Sequence, residues 1–352
     1  MKRSVIFLVL ITLHLQGCNK EPGPGDSPYD WPLSSPSAQG LDRIKIDAAC
    51  KKAGELGSVD ALLVLRNGYL VAEEYYNGYG RDVPHQLWSV TKSFLSALVG
   101  IALDKGLIDD IDDKVIDYFP EYSYAGMDPR FNDITIRNLL AMRMGIDREH
   151  NNLISVLTKD NWIRETFNLP LLYDPGTKFS YNSLQSLLLS AIITKTSGMT
   201  ASQFAQNYLT GPMGIEISRW GSDPQGNTIG GYDLYMTPRE MAVLGYLYLN
   251  GGVIDVRQII SQEWIDLSWQ KTCLTDGSWG VLTEYNYGFH WWIGKMQGCD
   301  LFIAWGMGGQ FIFCVPEHDL IVVVTSNPDI SWENDQEYPV IEVVSDYILS
   351  AL

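Results

Sequence analysis

Residues 94–103 are almost wholly apolar with no polar stripe, and a helix of that pattern is buried on all sides. Gly106 supplies the left-handed residue that commonly ends such a helix. Ahead of it, apolar runs at 61–65 and 69–75 flank Arg66-Asn67-Gly68, and Asn-Gly between two such runs is the strongest short hairpin signal. Residues 41–55 carry the period of an amphipathic helix. Near the other end, runs at 301–305 and 310–315 flank a glycine-rich turn, 320–325 adds a further strand, and 340–349 closes the chain as a helix.

From about residue 104 to 279 the pattern changes to helical segments and loops. Helices are expected at 136–142, 184–196, 201–208 and 238–249, the last with Thr237 as N-cap and Pro238 at the first helical position. Both chain ends are therefore β-rich and the middle α-rich. The economical solution is an α/β (α+β) fold in which 41–103 and 280–352 build one antiparallel sheet flanked by helices. A mainly helical domain, 104–279, is inserted between them, with a cleft at the junction. No internal repeat is visible in the sequence.

The first residues stand apart. Met1-Lys2-Arg3 and the apolar residues 5–13 have the charged start and short apolar core of a secretory signal, too short to span a bilayer. Leu15-Gln16-Gly17-Cys18 resembles a bacterial lipoprotein cleavage site, which makes residues 1–18 a signal peptide and Cys18 the lipidated N-terminus. An ordinary secretory signal with an incidental cysteine is the alternative. Residues 19–40, rich in Pro, Gly and Ser, are expected to tether rather than fold. The expected location is the bacterial cell envelope, lipid-anchored, and Asn19-Lys20-Glu21 hints at the outer membrane or cell surface.

A formal net charge of −17 repels nucleic acid and excludes it as a partner. Cys50, Cys273, Cys299 and Cys314 lack metal-ligand spacing, and the five histidines form no pair at helical ligand spacing, so no metal or cofactor is expected. Cys314, inside Phe311-Ile312-Phe313-Cys314-Val315, reads as a core residue. An oxidising compartment permits a Cys273–Cys299 disulfide without requiring one.

Candidate chemistry begins at Ser89 and Lys92, three residues apart at the start of the buried helix and so on one face. Backbone N–H groups and the positive end of the helix dipole favour developing negative charge beside Ser89. Burial favours the neutral form of the lysine, so the two make a nucleophile and base. Ser268 and Lys271 repeat the spacing, but 263–271 reads as the end of an amphipathic surface helix, with Lys271 the cation favoured in a last turn.

Two further stretches add to the pair. Asp174-Pro175-Gly176 leads through Phe179-Ser180-Tyr181-Asn182-Ser183 into an apolar helix. Tyr181 can meet the buried lysine there, a nearby cation lowers a phenol's pKa enough to make it a usable base, and Ser183 adds a hydroxyl. A polar helix cap with a packing tyrosine is the alternative. Ala304-Trp305-Gly306-Met307-Gly308-Gly309-Gln310 places three glycines at a strand end, where the N–H of Met307 could pair with that of Ser89 as an oxyanion hole. A plain glycine turn explains the same residues. Trp88, Trp291, Trp292 and Trp305 are candidates to line the cleft, and Trp305 is the favoured one.

In this order and at these separations the stretches resemble the serine β-lactamase and penicillin-binding-protein superfamily. More closely, the chain looks like its class C-related serine hydrolases, among them carboxylesterases, D-amino-acid peptidases and 6-aminohexanoate-oligomer hydrolases. The resemblance runs from about Trp31 to the end. It includes Leu63-Val64-Leu65-Arg66-Asn67-Gly68, Trp88-Ser89-Val90-Thr91-Lys92-Ser93, Pro175 through Ser183, Gly211-Pro212-Met213-Gly214-Ile215 and Gly308-Gly309-Gln310-Phe311-Ile312.

The resemblance implies a β-lactamase/transpeptidase-like fold with Ser89 as acylated nucleophile and Lys92 as its activating base. Tyr181 would shuttle the proton to the leaving group and later help activate water. Ser183, Trp305 and Gly306 would fall at substrate-binding positions. Departures matter: Tyr-x-Asn reads Tyr181-Asn182-Ser183, and Lys-Thr-Gly reads Ala304-Trp305-Gly306, which removes a cation that would face a substrate carboxylate. The expectation is a serine hydrolase of small esters or amides without strong β-lactamase activity. Its rivals are a D-Ala carboxypeptidase/D-aminopeptidase or weak β-lactamase acting on cell-wall-type peptides, and a non-catalytic binding or scaffold protein of the same fold.

Overall fold

The computed structural model describes residues 30–328 and 336–352. The hairpin signal is realised as β1 (Val59–Arg66) and β2 (Tyr69–Tyr75), with Asn67 and Gly68 both left-handed at φ 51° and 74°, the turn that matches strand twist. Six strands from the far end of the chain complete the sheet: β3 (Cys273–Trp279), β4 (Leu282–Tyr287), β5 (Trp292–Met296), β6 (Cys299–Gly306), β7 (Gln310–Val315) and β8 (Leu320–Ser326). The order is β2-β1-β8-β7-β6-β5-β4-β3, antiparallel throughout, so β8 pairs with β1 and zips the two chain ends together.

Side chains alternate between two cores, as the pleat requires. Leu62, Val64, Phe311, Phe313 and Val322 face α1 (Arg43–Glu55), whose Asp42 cap accepts from the Ile44 N–H at 2.9 Å, and the closing helix Glu337–Val343. Leu63, Leu65, Ile312, Ile321 and Val323 face the other way, toward the helical body. That body contains α2 (Thr91–Asp104), α3 (Glu149–Leu157), α4 (Ser183–Ser197) and α5 (Pro238–Leu249); we number the closing helix α6. α5 carries the expected cap, with Thr237 and Glu240 forming a capping box. Every residue of α2 from Thr91 to Ala102 is buried, and Gly106 follows at φ 65°.

Several expectations are corrected. Residues 31–40 are not a free tether: Trp31 is buried against Tyr246, and Pro32 and Ser34 hydrogen-bond Leu70 along the outer edge of β2. The sheet reaches back to Cys273 rather than starting at 280. The stretch 145–170 holds α3, and β3 and β4 follow one another from Cys273 to Tyr287. Cys273 and Cys299 are both free. They start strands three places apart, roughly 14 Å at the usual spacing, beyond the about 7 Å a disulfide tolerates. Lys271 lies past the helix Gln262–Ser268 and pairs with Glu284, while Ser268 is buried, so the second Ser-x-x-Lys assembles nothing. Residues 1–29, with the expected signal and Cys18, lie outside the described residues; within them no helix is long and apolar enough to cross a membrane.

Candidate active site

Ser89 sits in the tight turn Trp88–Val90 that leads into α2. The turn is pinned from both sides. The Leu87 N–H donates to the Leu234 carbonyl at 2.8 Å, and the end of β6 closes in so far that a Cβ on Gly306 would lie 2.3 Å from the Leu87 oxygen and 3.2 Å from the Ser89 nitrogen. Only glycine permits that approach. Trp88 is left-handed at φ 47°, a conformation that costs a bulky residue about 1–3 kcal/mol and that clusters at functional sites.

Lys92 lies one helical turn on and is 1% exposed. Its Nζ is 2.9 Å from Ser89 Oγ, 2.9 Å from Ser183 Oγ and 2.8 Å from the Gly231 carbonyl. Burial disfavours the ammonium and lowers the pKa to about 8, with the Glu149 carboxylate pulling the other way. His290 braces the backbone beneath: its Nδ1 is 3.1 Å from the Lys92 carbonyl, and Ser93 Oγ donates to the His290 carbonyl at 2.7 Å. Burial and the neighbouring lysine push His290 down to about 3, so it is neutral.

Tyr181 completes the cluster. The Lys92 Nζ is 4.8 Å from its ring centre, and Tyr181 lines the same cleft as Ser89. Its pKa moves opposite to the sequence expectation: burial, seconded by the Glu149 carboxylate, raises it above the ordinary tyrosine value. Tyr181 therefore rests as a neutral phenol rather than as a phenolate. Asn182 caps α4 through Leu184 N and, fully buried, ties the segment to Asp147 and Asn152.

Ser89 and Tyr181 open into a cleft of about 630 Å³. One wall is aromatic: Trp292 stacks on Tyr285 at 4.9 Å and on Tyr181 at 5.6 Å, and Trp305 packs against it at 5.8 Å. The facing wall is α3, with Leu153 and Ile154. Met307 lines the cleft beside Ser89, on a turn fastened by Glu337, which accepts from Trp305 Nε1 and Gly308 N, both at 2.7 Å. A larger concavity of about 700 Å³ lies between α1 and β2, on the other face of the sheet from α2.

The structure thus brings Ser89, Lys92, Tyr181, Met307 and Trp305 together. It places Ser183 behind Lys92 instead of on the cleft wall, and Gly306 against the Ser89 turn, where it makes room for backbone rather than substrate. Trp292 joins Trp305 in the wall, whereas Trp291 is wholly buried in the core and Trp88 supports the turn. Sequence reasoning missed Arg148, Glu149, His150, Tyr285 and Glu337, all of which reach the cleft. Arg148 returns a cation to the cleft that Ala304 had removed from the strand. Cys299, Glu317 and His318 bring metal-type donor atoms within 4.8 Å of one another, but at the end of β6 opposite Gly306, so a cation there would not meet Ser89.

An antiparallel sheet closed by both chain ends, a helical insert and a serine–lysine pair at the junction define a β-lactamase/transpeptidase-like hydrolase fold. The model of the Beta-lactamase family matches residues 53–344, and the chain belongs to that family. The 6-aminohexanoate-dimer hydrolase of Paenarthrobacter ureafaciens is 26% identical over 315 residues, covering 81% of this chain and 79% of the relative. Among solved structures, EstCE1, a hydrolase with promiscuous acyltransferase activity, superposes with TM-score 0.70 at 17% identity, covering 88% of this chain and all of its own. A D-stereospecific amidohydrolase from a Streptomyces species gives TM-score 0.65 at 16% identity, covering 85% of this chain and 98% of its own. These two likenesses show the fold.

Proposed function

We propose that the protein is a serine hydrolase that cleaves a small ester or amide through an acyl-enzyme on Ser89. The observation that carries this is the 2.9 Å contact between Ser89 Oγ and the Nζ of a fully buried lysine whose pKa is lowered to about 8. Ser89 Oγ attacks the substrate carbonyl carbon while its proton passes to Lys92. The resulting oxyanion is held by the N–H groups of Ser89 and Met307, a contribution worth about 3–4 kcal/mol of barrier per donor. Tyr181 gives its proton to the departing alcohol or amine and recovers one from Lys92. Water then attacks the ester on Ser89 by the reverse route and releases the acid.

The aromatic wall and the Leu153–Ile154 face suit an apolar acyl group. The likeness to a 6-aminohexanoate-dimer hydrolase, to a hydrolase with acyltransferase activity and to an amidohydrolase supports this reading. Hydrolysis of p-nitrophenyl acetate by wild type and Ser89→Ala tests it: turnover by the first alone supports it, and equal inertness of both removes it. Arg148 gives the D-Ala peptidase alternative a carboxylate partner, so D-Ala-D-Ala peptides belong beside the neutral esters in the same assay. Release of D-Ala faster than ester cleavage would favour that alternative.

We further propose that Cys18 carries a lipid anchor to the bacterial cell envelope, on the strength of Leu15-Gln16-Gly17-Cys18 behind a charged, apolar leader. Wild type is expected in the membrane fraction with incorporated palmitate, and Cys18→Ala without it. Equal palmitate labelling of the two proteins would rule Cys18 out.

A further inference from the structure

Behind the serine–lysine pair lies a second layer. Ser183 is 3% exposed, and its N–H and its hydroxyl both donate to Glu149 Oε2, at 2.9 and 2.7 Å. A carboxylate oxygen only accepts, so the hydroxyl proton of Ser183 is committed to Glu149. The Ser183 oxygen is then left to accept from Lys92, 2.9 Å away. The Gly231 carbonyl, 2.8 Å from the same nitrogen, also only accepts. A neutral lysine has two N–H bonds and one lone pair. With both N–H bonds engaged by Ser183 and Gly231, the lone pair faces the third neighbour, Ser89 Oγ.

We propose that Glu149 is a positioning residue: by holding the Ser183 hydroxyl as a donor to itself, it aims the lone pair of neutral Lys92 at the hydroxyl of Ser89. Without this acceptor the Ser183 hydroxyl is free to turn and donate to Lys92, competing with Ser89 for the base. Glu149 is itself fixed at the first residue of α3, where its N–H donates to the Tyr181 carbonyl at 3.0 Å. The helix that forms the apolar wall of the cleft therefore also sets the direction of the base. The titratable neighbours of Lys92 are Tyr181, His290 and Glu149; the first two rest neutral, and the field on the lysine is that of Glu149.

The catalytic consequence rests on the acyl-enzyme reading, whereas the coupling of Glu149 to Lys92 is measurable in the resting protein. Four variants of the purified protein test the proposal: Glu149→Ala, Glu149→Gln, Ser183→Ala, and Glu149→Ala with Ser183→Ala. Thermal melting checks that each is folded. Acylation by p-nitrophenyl acetate is followed on the high-pH plateau, and Lys92 is titrated by NMR of its ε-carbon.

Glu149→Gln keeps an acceptor for Ser183 but loses the charge. It should retain the plateau within about twofold while the Lys92 midpoint moves to lower pH. Glu149→Ala should lose on the order of tenfold on the plateau, the scale of one hydrogen bond to a charged group. Ser183→Ala should lose about as much, and the double variant no more than the worse single one. Wild-type acylation in Glu149→Ala, or losses that multiply in the double variant, would overturn the proposal. A protein that forms no adduct on Ser89 refutes the hydrolase reading instead. The titration then decides alone: a lowered midpoint in Glu149→Gln upholds the chain from Glu149 to Lys92, and an unmoved one overturns it.

Discussion

Lys92 decides what the cleft can do, because burial leaves its ammonium only marginally favoured near neutral pH. A base with a pKa of about 8 is active in its neutral form, so kcat/KM for a neutral ester should rise about tenfold per pH unit below 8 and level off above it. A profile flat across that range would contradict the assignment. Lys92→Arg keeps a cation that cannot be deprotonated, and acylation should fall by about 10²–10⁴-fold. The same shift has a consequence for stability. The ordinary lysine value is 10.5, so between about 8 and 10.5 the unfolded chain binds a proton at this residue that the folded chain does not. Stability contributed by this site therefore rises with pH across that window. Denaturant titrations should show wild type gaining on Lys92→Met as pH climbs from about 8 toward 10.5, and a constant gap would contradict the shift.

Ser89, Lys92 and Tyr181 were legible because local spacing and a family pattern carry them. Glu149 and Glu337 were not: their partners Ser183 and Trp305 lie 34 and 32 residues away, and a carboxylate that meets a hydroxyl or an indole across the fold leaves no periodicity. The direction of the Tyr181 shift was misread for a related reason. A sequence shows that a cation is near, but not how completely the phenol is withdrawn from water.

Among the elements, those with local punctuation were found where expected. Asn67-Gly68 fixes the β1–β2 hairpin, and Thr237-Pro238 with Glu240 starts α5. The strands β4 and β5 escaped notice because Glu284, Gly294 and Lys295 interrupt their apolar runs. α3 begins Glu149-His150-Asn151-Asn152 after Arg148, which makes no side-chain cap, so packing rather than local sequence holds it. The buried helix α2 owes its fit to one small residue. A Cβ on Gly100 would stand 2.4 Å from the ring of Trp264. Gly100→Ala gains about 1 kcal/mol of helix propensity, but overpacking against a buried indole costs about 1–3 kcal/mol. Calorimetry should find a lower Tm, and a raised Tm would show that Trp264 can yield.

On the scale of the whole molecule, the pairing of β1 with β8 closes the chain into one sheet and leaves the cleft where β4, β5 and β6 meet the helical body. Its walls come from both parts: β4, β5 and β6 supply the aromatic side, α3 the aliphatic side. Composition could show that both parts exist but not which faces meet. Ile154 is 75% exposed yet borders the cleft, so its side chain adds little to the fold and is available to substrate. Ile154→Ser should leave Tm unchanged and reduce kcat/KM for a hexanoyl ester about fivefold relative to an acetyl ester, the scale of one partly buried aliphatic group. Equal effects on both esters would remove α3 from the acyl-binding wall.

The central claim is a covalent bond at Ser89, and intact-mass spectrometry during turnover of p-nitrophenyl acetate, with peptide mapping of the adduct, tests it most directly. The account predicts one acetyl group on wild type, mapped to Ser89, that disappears as ester is exhausted and never forms on Ser89→Ala. Turnover without an adduct, or an adduct on another residue that survives in Ser89→Ala, would contradict it.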